Sequence, residues 1–169
     1  MVATEELHGA AGWSRVLLSP VSGTAVPMAE ASDPLFSSLA LGDGAVILPT
    51  SGAICAPASG VVSMLAETKH AVLLDTDDGI EVLIHIGVDT VELGGTPFVA
   101  HVKQYDRVEA GQLLIEADLA AIEAAGKPTD IMVIITNTES RFSIEAALGP
   151  VKAGEKLIAI AKDATATRA

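Results

Sequence analysis

Aromatic side chains are scarce in this chain: three Phe, one Trp and one Tyr among 169 residues. Half of the residues are nonetheless hydrophobic, so the core must be aliphatic, built from Ala, Val, Leu and Ile. Cysteine occurs once, at Cys55, which excludes an internal disulfide. Basic residues are few, 10 against 22 acidic ones, for a formal net charge of −12. That balance argues against nucleic acid and against anionic membrane surfaces as partners, because both need a basic field. An uninterrupted membrane span is also missing. Gly44 to Ala66 carries no charge and is long enough on count, but Pro49, Gly52, Pro57 and Gly60 break it. Such punctuation reads as strands and turns rather than as a helix in lipid. The N-terminal MVATEELHGAAGWSR is acidic early and has no apolar centre, unlike a signal peptide. The expected location is the cytoplasm, with no direct membrane insertion.

What is present is a series of short aliphatic runs: Val16–Leu18, Ala45–Leu48, Val61–Leu65, Ala71–Leu74, Val82–Ile86, Leu113–Ile115, Ile131–Thr136 and Leu157–Ala161. Turn residues separate them, and short strands with regular punctuation indicate an all-β sandwich or barrel. Runs such as AVLL and VLIHI are apolar on both faces, which suits a sheet covered on both sides. One short helix is expected after Asp118, a good N-cap, through LAAIEAA to Gly126, with Pro128 beyond the stop. Residues 1–15 and 163–169 read as tails flanking one domain, 16–162. Two weak repeats stand out. Pro20-Val-Ser-Gly23 resembles Pro57-Ala-Ser-Gly60, and Val108-Glu-Ala-Gly111 resembles Val151-Lys-Ala-Gly154. They suggest either hairpin units used twice or common turn chemistry.

The chemistry concentrates between Glu67 and Leu93, a stretch that reads as strand, Asp-rich turn and strand, with Gly79 as the permissive turn residue. A two-residue loop at Asp77-Asp78 sets His70 opposite His85; one at Asp78-Gly79 sets them on a diagonal. Both put the imidazoles on one face, because side chains alternate along a strand. A three-residue loop would separate them. Two neutral imidazoles meeting in apolar surroundings suit metal ligation, general acid–base work, or nucleophilic attack by a ring nitrogen.

These residues also carry a family resemblance. Gly79-Ile-Glu-Val-Leu-Ile-His85-Ile-Gly-Val-Asp89-Thr-Val-Glu-Leu93 is similar to the active-site signature of the glucose-family enzyme IIA component of the phosphoenolpyruvate-dependent sugar phosphotransferase system. Glu67-Thr68-Lys69-His70-Ala71 resembles that family's second-histidine segment. Pro20–Gly23, Asp33–Phe36, Gly42–Gly44, Pro49-Thr50, Ala56-Pro57 and Ile134–Asn137 match in order and spacing. The resemblance implies an antiparallel β-sandwich of the duplicated hybrid type. It implies that His85 carries phosphate on Nε2, that His70 hydrogen-bonds the phosphoryl group, and that Thr68 orients His70. The implied donor is the phosphocarrier HPr, and the implied acceptor is a cysteine on an enzyme IIB domain of a sugar permease. No cofactor is implied. Some relatives also regulate permeases or enzymes, so regulatory targets are implied as well.

By the same resemblance, Asp33 and Asp89 form an acidic rim that steers a basic partner. An apolar docking patch falls to Phe36, Leu39, Leu41, Leu83 and Ile86. His70 and His85 are a zinc pair if a partner supplies a third ligand. Cys55 has no neighbouring charge to lower its pKa and reads as an inert thiol, so the acceptor thiol is expected on another chain. A competing class is a zinc hydrolase of related hybrid fold, suggested by His85-x-x-x-Asp89 but lacking its His-x-His pair. A lipoyl-type carrier would need a lysine at the Asp77-Asp78 tip. A purely regulatory binding protein is the remaining alternative.

Overall fold

The computed structural model describes residues 13–137 and 142–162. Fourteen strands form in chain order among them: β1 (Trp13–Leu18), β2 (Gly23–Pro27), β3 (Asp43–Pro49), β4 (Ala53–Cys55), β5 (Gly60–Leu65), β6 (Ala71–Thr76), β7 (Glu81–Ile86), β8 (Phe98–Ala100), β9 (Arg107–Val108), β10 (Leu113–Ala117), β11 (Ile131–Ile135), β12 (Phe142–Ala146), β13 (Gly149–Val151) and β14 (Lys156–Lys162). An eight-stranded sheet runs β13-β2-β3-β11-β7-β6-β5-β9. Two three-stranded sheets run β1-β14-β12 and β4-β10-β8. Every pairing is antiparallel, and one core cluster draws on all three sheets, including Leu17, Ile54, Ile84, Leu114, Val133 and Ile158. This is the expected antiparallel β-sandwich, and each of the eight aliphatic runs forms a strand, Ile131–Thr136 reaching one residue past β11.

Alternation decides which side chains the large sheet turns inward. Val82, Ile84 and Ile86 of β7, with Ile131, Val133 and Ile135 of β11, join the main core. Their neighbours Leu83, Met132 and Ile134 face outward beside Val46 of β3, and Met28, Phe36 and Val88 join them in a second cluster. The sheet is therefore covered on both sides here, as its doubly apolar runs imply.

The two weak repeats form matching structural units. Gly23 opens β2 and Gly60 opens β5, and a Cβ on either would lie 2.2 Å from a carbonyl oxygen of the neighbouring strand, Leu48 or Asp75. Val151 pairs with Gly23 and Val108 with Gly60. The two proline segments exchange backbone bonds, Leu18 N–H to the Pro57 carbonyl and Cys55 N–H to the Pro20 carbonyl. Even the side-chain turn bonds recur: Glu109 N–H donates to Gln112 and Lys152 N–H to Glu155. Reused turn chemistry alone does not produce cross-bonding between the copies.

The expected helix forms as α2 (Leu119–Ala124), N-capped by Asp118. A second, α1 (Pro34–Ser37), was not anticipated from the sequence, although its signals are there: Asp33 caps it and Pro34 fills its first turn. The expected N-terminal tail ends earlier than residue 15, because β1 already pairs Trp13 and Arg15 with β14. Residues 1–12 and 163–169, the rest of the expected tails, lie outside the described residues. Among the described residues no helix is long and apolar enough to cross a membrane.

The duplicated glycines give a test. Gly23→Ala and Gly60→Ala should each destabilise by about 1–3 kcal/mol or more, the range for forced overpacking. Chemical denaturation measures both; a neutral result at either position would contradict the close strand approach.

Candidate active site

β7 and β6 pair with Ala71 opposite His85 and Asp75 opposite Glu81. The loop is closed by Thr76 and Ile80, so it holds three residues, Asp77, Asp78 and Gly79, with Gly79 at φ +85°. This corrects the two-residue loop. A three-residue loop with a left-handed glycine is a common alternative hairpin. By strand alternation alone it would send His70 and His85 to opposite faces.

The histidines meet all the same, because His70 is not in the strand. β6 begins at Ala71, and the preceding chain turns at Lys69, which is left-handed at φ +63°. That turn swings His70 onto the outer face of the sheet. The ring centroids stand 5.0 Å apart, edge to face at 78°. Phe36 of α1 packs on the other side of His85, centroids 4.9 Å apart. Beside His85 in the sheet, its pairing partner Met132 of β11 is fully buried.

Each imidazole is held by its Nδ1. His85 Nδ1 lies 2.9 Å from the Gly87 carbonyl oxygen. A carbonyl only accepts, so Nδ1 carries the proton and Nε2 keeps its lone pair. Thr68 Oγ1 lies 2.7 Å from His70 Nδ1; when the hydroxyl donates, His70 presents an Nε2–H donor. The Gly87 carbonyl is itself fixed. Gly87 is left-handed at φ +77°, and a Cβ there would lie 2.4 Å from Thr90 Cγ2. Its N–H donates to the Asp130 carbonyl, and the buried Thr90 hydroxyl donates to the Ile86 carbonyl.

His85 opens into a shallow depression of about 190 Å3, lined by Asp33 and Asp89 and by Leu35, Phe36, Val88 and Val91. Asp33 has a structural task too, accepting from Leu35 N–H at 2.7 Å as the α1 cap. Burial is the main reason that the His85 pKa falls to about 4; the nearby His70 lowers it further, while the Gly87 carbonyl, Asp33 and Asp89 oppose the fall. Burial also lowers the pKa of His70. The His85 ring is therefore neutral at pH 7.

Of the expected docking residues, Phe36 touches His85 but is itself buried. Leu83 is half-buried in the outer cluster. Ile86 is a correction: at 0% exposure it belongs to the main core, as alternation from an outward His85 demands. Leu39 is exposed but lines a different hollow, with Leu148 and Ile144. Leu41 is exposed and does not line the His85 depression. The exposed apolar rim is instead Leu35 and Val91, each 51% exposed, which sequence reasoning missed. Each lies two residues past an acidic rim residue, Asp33 or Asp89, and that adjacency is the signal the sequence offers. Among the described residues no group of three or more His, Cys, Asp or Glu could hold a metal. Cys55 has its thiol pKa raised by burial.

A duplicated β-sandwich with paired, oppositely tethered histidines on the outer face of its large sheet defines a class of histidine-centred domain. Comparison with known proteins names the family. The family model of the phosphoenolpyruvate-dependent sugar phosphotransferase system, EIIA 1, matches residues 15–141. The glucose-specific EIIA component of Oceanobacillus iheyensis is 36% identical over 143 residues, covering 84% of this chain and 87% of that protein. The glucose-specific EIICBA component of Streptococcus pneumoniae is 44% identical over 127 residues, 75% of this chain. The glucose permease IIA of Mycoplasma capricolum superposes with a TM-score of 0.79 at 35% identity, covering 86% of this chain and 94% of that one. The chain belongs to the EIIA 1 family of this phosphotransferase system. It spans only 18%, 25% and 23% of three multicomponent relatives that it matches.

The low His85 pKa predicts a pH effect. The unfolded chain binds a proton near pH 6.5 that folded His85 refuses until about pH 4, so stability falls as pH drops through that window. The loss attributable to His85 is about 3 kcal/mol. Denaturation of wild type and His85→Ala from pH 7 to 4 checks it: the variant should show a shallower decline, and parallel curves would contradict a neutral buried imidazole.

Proposed function

We propose that this chain is a cytoplasmic phosphocarrier of sugar uptake. It takes a phosphoryl group from phospho-HPr onto His85 Nε2 and passes it to a cysteine of an enzyme IIB domain. The observation that carries the reading is the Nδ1–H bond of His85 to the Gly87 carbonyl. It leaves the Nε2 lone pair as the nucleophile.

In the first transfer the phosphorus–nitrogen bond of the donor breaks and a bond from phosphorus to Nε2 forms. The His85 Nδ1 proton stays in place, and the leaving nitrogen keeps its electron pair. Phosphoryl transfer is largely positioning and charge stabilisation. His70, with its ring 5.0 Å from that of His85, serves as the donor to an equatorial oxygen, and Thr68 fixes its tautomer. In the second transfer a cysteine thiolate attacks phosphorus and His85 leaves as the neutral ring. The depression beside His85 combines apolar and acidic lining, which suits a contact with a partner protein. Leu35 and Val91 offer apolar contact, and Asp33 and Asp89 favour a cationic partner face. The sugar is left to the partner permease.

The test uses phosphoenolpyruvate, enzyme I and HPr with labelled phosphate. Wild type should accept an acid-labile, base-stable label, and His85→Ala should accept none. His70→Gln should still be labelled but pass phosphate to a IIB domain more slowly by roughly 10²-fold or more, the scale for one lost preorganised donor. Labelled His85→Ala would overturn the assignment, and undiminished onward transfer by His70→Gln would remove that residue from the mechanism.

A further inference from the structure

Asp130 sits immediately before β11 and is 6% exposed. Its carboxylate Oδ2 accepts two hydrogen bonds from a residue 98 positions away: Ser32 N–H at 2.9 Å and Ser32 Oγ at 2.7 Å. Its backbone carbonyl accepts the Gly87 N–H at 2.7 Å. One residue thus holds both walls of the site. On one side is the loop whose carbonyl fixes His85 Nδ1. On the other is the segment that carries Asp33 and Phe36.

α1 needs such a tether. It is four residues long, too short to be stable by its own hydrogen bonds, and it lies on the outer face of the sheet. Phe36 anchors it by burial, but one ring does not fix its rotation. The two bonds from Ser32 to a buried carboxylate, one residue before the Asp33 cap, fix where the helix starts.

We propose that Asp130 is a positioning residue for phosphoryl transfer, tying Ser32 to the sheet so that Phe36 and the Asp33 carboxylate stay registered over His85. The rate arm of its test rests on the phosphocarrier reading; the structural arm does not.

The structural arm is the ring current of Phe36 on the His85 ring protons, read by 1H NMR at pH 7, with Phe36→Leu as the zero reference. Asp130→Ala should lose most of that shift and slow phosphorylation by phospho-HPr roughly tenfold, a modest share of what misplacement can cost. Asp130→Asn keeps an oxygen acceptor for the same two bonds and should recover both readouts to within about threefold. Ser32→Ala, which removes only the hydroxyl, should fall between. A residue serving stability alone would lower Tm and leave the shift and the rate per folded molecule unchanged. The proposal is overturned if Asp130→Ala and Ser32→Ala keep the wild-type shift, or if Asp130→Asn behaves like Asp130→Ala. Should Asp130→Ala not fold, Ser32→Ala against Asp130→Asn decides by the same shift. If wild type takes no phosphate from phospho-HPr, the phosphocarrier reading fails while the ring-current comparison still decides the tether.

Discussion

The site depends on one hydrogen bond, from His85 Nδ1 to the Gly87 carbonyl. Without it a neutral imidazole exchanges between tautomers and turns about its side-chain bonds. With it, one nitrogen is committed as a donor and the other is left basic, aimed away from the sheet. Much of the local structure serves that bond. Gly87 takes a left-handed φ beside Thr90, where a Cβ would collide. The strand pairing of β7 with β11 places His85 beside Met132. Burial keeps the ring neutral, with its pKa near 4, so the lone pair is available at pH 7.

That burial comes from a second, smaller core. The main core fills the space between sheets, but the outer face of the large sheet carries its own apolar cluster of Met28, Phe36, Val46, Val88, Met132 and Ile134. Scarcity of aromatics makes Phe36 conspicuous: one of only three phenylalanines is spent against the His85 ring. A net charge of −12 first excluded polyanionic partners. At the site it becomes specific, since Asp33 and Asp89 stand on either side of the depression, where a cationic face would be steered.

Much of this was legible in the sequence, in uneven ways. The fold followed from short aliphatic runs and turn residues, and the duplicated glycines were visible as weak repeats whose meaning only pairing revealed. His70 and His85 stand out from the strand–turn–strand reading and from motif resemblance, Thr68 from resemblance alone, and the three come together. Their meeting does not come from the register of a two-residue hairpin. Loop length is set by the conformation of Gly79, and the turn at Lys69 lies outside any period-2 pattern, so neither follows from alternation. Ile86 should have been excluded by the same alternation that turns His85 outward. Leu39 and Leu41 rest on the family resemblance alone, which says nothing about the face they reach in this chain. The bond between Asp130 and Ser32 spans 98 residues, and no local signal marks either partner.

The central claim is that Nε2 of His85 is the reacting nitrogen because Nδ1 is committed to Gly87. Imidazole 15N NMR tests it most directly, on protein labelled at histidine before and after phosphorylation by phospho-HPr. The unphosphorylated ring at pH 7 should show a protonated Nδ1 and a lone-pair Nε2, and the phosphorylated ring should show its coupling to phosphorus at Nε2. A resting Nε2–H tautomer, or phosphate on Nδ1, would contradict the account.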